Sequence, residues 1–182
     1  AAAPWVFAGL LLGFGVKIPV VPLHTWLPDA HTEAPAAGSV MLAGVMLKMG
    51  LYGLIRVAFP LFPATSEAWA PWLAGLATVN VVYGALCAMA QTDLKRLIAY
   101  SSIAHLGFCL LGVLSRTSQG LGGGGLQMIN HGLTTGALFL MVGFLYERSH
   151  KRGLADFGGL AGRAPWLAFF FGFSTLASIG LP

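Results

Sequence analysis

Residues 34–59 read APAAGSVMLAGVMLKMGLYGLIRVAF. Lys48 and Arg56 are the only charged residues in this run. A membrane span needs about 20 mostly apolar residues, and the stretch from Ala34 to Phe59 exceeds that. A barrel strand would alternate polar and apolar residues over about ten positions. This run does not alternate, so it predicts an α-helix that crosses a bilayer and satisfies its own backbone groups there.

Working outward, the same pattern recurs along the chain. Pro4 to Leu23 precedes it, interrupted by Gly13, Gly15, Lys17 and Pro19. Ala68 to Ala90, Leu94 to Leu114 and Leu121 to Tyr146 follow, and a further apolar stretch begins near Ala164 and breaks at Gly180-Leu181-Pro182. The predicted fold is an all-α integral membrane protein: a single transmembrane domain over residues 1–182, with about five transmembrane helices and the start of a sixth. Broken helices are expected near Lys17 and near Pro182. The connections are short, as neighbouring antiparallel helices require. The segment from His24 to Glu33 reads as a polar connection. The chain begins without Met and both its ends lie in apolar sequence, so it reads as an internal piece of a longer protein.

Composition agrees. Of 182 residues, 57% are hydrophobic and 9% charged, against about 25% charged in soluble domains. The net charge of +4 is spread over the ends of apolar segments, which argues against a nucleic-acid surface. Cys87 and Cys109 show neither a CxxC pair nor metal-ligand spacing. Gly122 to Gly125 lacks the Gly-Lys-Ser/Thr of a phosphate-binding loop, and no dinucleotide, haem or iron–sulfur pattern is visible. Proton or ion movement fits these residues better than electron transfer. Basic residues near span ends set orientation: Lys95, Arg96, Arg148, Lys151, Arg152 and Arg163 mark the cytoplasmic or equivalent side, and Arg56 and Arg116 the other.

Four residues stand out as candidate proton carriers. Lys48 lies deep in its span, where a charge costs at least about 2.5–3.5 kcal/mol on insertion scales. It is about 10 Å along the helix from the polar boundary at Arg56, a long reach for a side chain snorkelling to the headgroups. Lys17 sits among two glycines and a proline, a composition that breaks helices. Such breaks are where transporters place ion sites. His105 and His131 can relay protons through their two ring nitrogens. Gln127, Asn130, His131, Thr134 and Thr135 form a polar patch at helical spacing, expected to face inward. His24, Asp29, His31 and Glu33 read as a solvated or interfacial loop, with no metal-ligand spacing. The pairs Gly9/Gly13 and Gly132/Gly136 fit close contact between helices.

Several motifs then carry a resemblance. KIPVVPLHTWLPDAH (Lys17–His31), APAAGSVMLAGVMLK (Ala34–Lys48), DLKRLIAYSSIAH (Asp93–His105), QMINHGLTTGALF (Gln127–Phe139) and LYER (Leu145–Arg148) follow in order. Together they resemble the antiporter-like membrane subunits of the proton-translocating NADH:quinone oxidoreductase (complex I), and most of all the M-type, or chain 4, branch. The resemblance implies that Lys17 is the lysine of a broken helix, paired with a glutamate on a helix before Ala1. It also implies that Lys48 is the central lysine, and that His105 and His131 continue a hydrated axis towards a second break and an acidic residue beyond Pro182. It places NADH, FMN, iron–sulfur clusters and quinone on other subunits, with no cofactor in this chain. The partners it implies are the other membrane subunits of complex I, the lipid bilayer and protons, in a bacterial or organellar inner membrane. A multi-subunit cation/proton antiporter or a membrane-bound hydrogenase shares the lysine motifs, and a purely structural spacer is the bland alternative.

Overall fold

The computed structural model describes residues 2–181. Four helices are long and apolar enough to cross a membrane: α3 (Ala36–Leu61), α4 (Pro63–Met89), α5 (Leu94–Leu114) and α6 (Ser118–Ser149). Shorter apolar helices flank them, α1 (Ala3–Lys17) at one end of the chain and α8 (Pro165–Ile179) at the other. Between α6 and α8 lie a short 3-10 turn and the four-residue helix α7 (Leu160–Arg163).

The first span extends further than the sequence suggests. After α1 the chain turns through residues 18–25 and resumes as α2 (Trp26–Glu33), which packs against α5. Phe7, near the start of α1, meets Phe62 and Trp69, while Asp29 of α2 reaches Arg96 at the opposite end of the bundle. The two halves therefore cross the bundle together as one broken helix. The segment from His24 to Glu33 is accordingly not a solvated loop: Leu27, Pro28 and His31 are buried in α2, and His24 is buried in the break. Eight residues are too few to display an apolar span; of their polar side chains His31 turns inward, while Asp29 and Glu33 stay exposed.

Prolines explain where the helix breaks. Pro19 and Pro22 have no N–H to donate, and hydrocarbon offers the freed groups no substitute partner. The protein supplies several. Trp26 Nε1 donates to the carbonyl of Val16 at 3.0 Å, and Leu27 N–H donates to the carbonyl of His24 at 3.0 Å. Asn80 of α4 accepts from Val21 N–H at 2.7 Å and donates to the Pro19 carbonyl at 3.2 Å.

Helix α3 carries two π-type stretches, Leu42–Met46 and Leu54–Ala58. At their ends Leu47 N–H reaches the Leu42 carbonyl and Phe59 N–H the Leu54 carbonyl. Wide turns of this kind gather at functional sites. Helix α5 is central, with 61% of its apolar window buried against 22% for α4. Asp93 caps its N-terminus, accepting from the N–H groups of Lys95 and Arg96 at 2.8 and 3.1 Å.

The two ends of the bundle differ in charge, as the basic residues suggest. At one end Arg96 pairs with Asp29 at 2.6 Å and Arg152 with Asp93 at 3.4 Å. Lys95 and Arg152 donate to the carbonyls of Ala34 and Thr32 at the end of α2. At the other end Arg116 lies 3.8 Å from Glu67. Helix α8 stops at Gly180, whose φ of 89° is the left-handed value that suits glycine at a helix end. Pro182, where a second break is expected, lies outside the described residues.

The helices α4 and α5 touch backbone to backbone. A Cβ on Gly84 would stand 2.7 Å from the Ala104 nitrogen, while one on Gly75 would meet nothing within 4 Å. Gly84→Ala is therefore expected to destabilise the full-length protein by about 1–3 kcal/mol, read as a lower Tm in detergent. Gly75→Ala, on an open face, is expected to leave Tm unchanged or slightly raised.

Candidate functional site

Lys48 follows the first π stretch of α3 and is 8% exposed. An unpartnered ammonium here would carry a heavy penalty, and two groups meet it. Its Nζ donates to the carbonyl of Ala43, within the π stretch of its own helix. It also lies 2.7 Å from Nδ1 of His131 on α6, a residue 1% exposed.

Missing side chains set that distance. A Cβ on Gly132 would stand 2.9 Å from the Gly44 carbonyl and 3.8 Å from Cε of Lys48. Glycine at 132 lets α3 and α6 close until lysine and histidine meet, whereas a Cβ on Gly44 would stand at an ordinary 3.9 Å from the Gly132 carbonyl. Gly132 thus has the contact role read from its spacing. Gly9 and Gly13 do not: a Cβ on either would meet nothing within 4 Å, because that face of α1 borders an open groove.

From His131 the row continues. The ring of His105, on α5, lies 5.5 Å away centroid to centroid, tilted by 53°. Nδ1 of His105 is 3.3 Å from Nε2 of Gln127, and its Nε2 is 3.3 Å from Oγ of Ser178 on α8. Lys48, His131, His105 and Ser178 therefore form a lateral row through α3, α6, α5 and α8. If Nδ1 of His131 accepts the lysine proton, the ring's own proton sits on Nε2. That nitrogen is buried without a partner among the described residues.

Only part of the polar patch on α6 points into this row. Gln127, His131 and Thr135 are one turn apart and share the inner face, with Thr135 only 1% exposed. Asn130 is exposed, and Thr134 donates to the Asn130 carbonyl on its own helix at 2.9 Å. These two depart from the expected inward patch because each precedes an inner-face residue by a single position, about 100° around the helix.

Lys17 is not brought into contact with the row. It ends α1, half-buried, in a groove shared with Gly9, Gly13, Phe14, Met49 and Gly50. Met49 and Gly50 directly follow Lys48, so Lys17 of α1 lies against the same turn of α3 that carries Lys48.

Three further buried polar residues escaped the sequence reading as site residues. His31 is fully buried and stacks on Phe139 at 4.3 Å and 14°. Neither of its ring nitrogens has a partner among the described residues. His24 is 4% exposed, and its ring stands edge-on to Tyr83 at 5.0 Å. Asn80 is fully buried. The available signal for Asn80 was a lone carboxamide inside the apolar run from Ala68 to Ala90. Among the described residues no three His, Cys, Asp or Glu side chains converge as a metal site.

Comparison with known proteins agrees with this architecture. Residues 2–182 match the family model described as NADH:quinone oxidoreductase/Mrp antiporter, TM. The chain is 49% identical over 173 residues to NADH-quinone oxidoreductase subunit M of Rickettsia typhi, covering 95% of this chain and 35% of that protein. It superposes on a chain of respiratory complex I from Thermus thermophilus with a TM-score of 0.94 at 40% identity, covering 100% of this chain and 39% of that one. A chain of the Mrp complex from Dietzia sp. DQ12-45-1b superposes with a TM-score of 0.91 at 27% identity, covering 97% of this chain and 33% of that one. The chain spans about a third of the length of the curated relatives it matches. With its bundle of apolar helices, its broken first span and its match along nearly the whole length, this chain belongs to the NADH:quinone oxidoreductase/Mrp antiporter transmembrane family.

Proposed function

We propose that this chain is part of a proton-translocating membrane subunit of NADH:quinone oxidoreductase. The carrying observation is the buried pair of Lys48 and His131, 2.7 Å apart. A lysine and a histidine at hydrogen-bond distance can exchange a proton with little movement, and ionisable groups inside membrane segments mark proton relays.

In this mechanism the Lys48 ammonium gives a proton to Nδ1 of His131, leaving a neutral amine and an imidazolium. The imidazolium releases a proton from Nε2, and His105 receives it for passage towards Ser178 and α8. Lys17 returns a proton to Lys48 when the charge beside Lys17 changes. Transfers from Lys48 to His131 and on to His105 leave the total charge of the row unchanged; the proton from Lys17 adds one positive charge to it, and passage beyond Ser178 removes one. The energy comes from quinone reduction elsewhere in the complex, on subunits that bind NADH, FMN, iron–sulfur clusters and quinone. The subunit works in a bacterial or organellar inner membrane beside other membrane subunits, with its basic end towards the cytoplasm or matrix.

A second reading, a subunit of a multi-subunit cation/proton antiporter, is favoured by the likeness to the Mrp chain at a TM-score of 0.91. Sequence identity weighs the other way: 40% to the complex I chain against 27% to the Mrp chain. Proton uptake that follows NADH–quinone turnover in sealed vesicles without sodium supports the first reading. Uptake that requires a sodium gradient and ignores NADH supports the second.

Two substitutions test the site in the full-length subunit within its complex. Lys48→Met is expected to slow proton transfer through this subunit on the scale of the ~10²–10⁴-fold contribution of a positioned proton donor or acceptor, and so to lower proton uptake per electron by this subunit's share. Unchanged uptake in the assembled complex would remove Lys48 from the path. Gly132→Ala, whose methyl group presses on the Gly44 carbonyl, is expected to separate α3 from α6. It should reduce uptake per electron several-fold although every titratable group remains. A wild-type ratio would show that the close approach is unnecessary for transfer.

A further inference from the structure

We infer that Asn80, which carries no titratable group, is the positioning residue of the broken helix: it holds Pro19 and Val21 within the break, next to the end of α1, and so fixes where Lys17 is presented. This inference rests on the proton-carrying role proposed for Lys17.

The break between α1 and α2 leaves Val21 N–H and the Pro19 carbonyl without helical partners, and Asn80 meets both, at 2.7 and 3.2 Å. A carboxamide is suited to this because it carries an acceptor and donors on one planar group. The two bonds reach opposite polarities of one short segment, which restrains its orientation as well as its place. Pro19 lies two residues beyond Lys17, the last residue of α1. Holding the Pro19 carbonyl therefore restrains the end of the helix that carries the lysine.

The surroundings fit a built site rather than a chance contact. Helix α4 exposes most of its surface, yet Asn80 is fully buried. Its inner face is otherwise lined by small residues, Ala77, Gly84 and Ala88. On the far side stands Gly107 of α5, where a Cβ would lie 3.0 Å from Cβ of Asn80 and 2.8 Å from the Ala77 carbonyl. Any larger residue at 107 would push α4 away from α5 and disturb the carboxamide. One turn of α4 thus connects the packing of the central helix to the conformation of the break.

The experiment uses the full-length subunit in its native complex, reconstituted in sealed vesicles. Asn80→Leu, Asn80→Ser and Lys17→Met are compared with wild type. Assembled complex, NADH–quinone turnover and proton uptake per electron are recorded for each. The expected result is a several-fold fall in uptake per electron for Asn80→Leu in assembled complex. Asn80→Ser, whose hydroxyl can restore one of the two bonds, should be intermediate.

A residue that matters only for folding would lower the amount of complex and leave the ratio per assembled complex unchanged. That outcome overturns the inference, as does a wild-type ratio for Asn80→Leu. Where Asn80→Leu does not assemble, Asn80→Ser decides: an intermediate ratio supports the inference, and a wild-type ratio or a second failure to assemble overturns it. Lys17→Met separates the two levels. If it pumps normally, the role of Lys17 itself is wrong. If it fails to pump while both Asn80 variants pump normally, only the positioning role falls.

Discussion

Hydrocarbon offers a polar group no hydrogen bond, so every donor and acceptor at membrane depth must find its partner within the protein. Two irregular features of this bundle follow that constraint. The break between α1 and α2 exposes backbone groups, and the side chains of Trp26 and Asn80 meet them. The lysine inside α3 introduces a charge, and a π-stretch carbonyl and a histidine meet it. In both places irregular backbone and a buried polar side chain occur together, because each supplies what the other lacks.

Close helix approach makes these pairings possible. At the crossing of α3 and α6, Gly132 lets its helix close on the Gly44 carbonyl, and the lysine–histidine bond is formed beside that contact. At the crossing of α4 and α5, Gly84 and Gly107 do the same, and Asn80 occupies the space beside them. Small residues in membrane helices are often read as association motifs alone. Here they also determine which polar side chains can meet, so a methyl group on a glycine becomes a change in site geometry.

The row of polar groups is uneven in strength. Lys48 and His131 lie at 2.7 Å, whereas both contacts of His105 are 3.3 Å. In the proposed path, the first pair offers a short proton transfer, and passage through His105 would need small adjustments of its ring or of Gln127 and Ser178. Lys17, at the end of α1, stands apart from the row, in the groove beside Met49 and Gly50 of α3.

The order and placement of the long spans were legible in the residues, because uninterrupted apolar runs of sufficient length have one stable use in a bilayer. So were the depth of Lys48 and the gathering of basic residues at one end, since insertion cost and the distribution of arginine and lysine are properties of local sequence. Tertiary structure alone decided what those residues meet. The segment from His24 to Glu33 is polar in sequence, yet Trp26–Glu33 is helical and packed on α5, with Lys95, Arg96 and Arg152 of the basic end meeting Ala34, Asp29 and Thr32. Gln127 and Asn130 look alike along the chain, and only the packing of α6 against α5 separates an inner from an outer residue. Asn80 lies 59 residues along the chain from Val21, in the break it holds. No local pattern joins them, since the partner of a freed backbone group is set by which helix happens to pass beside it.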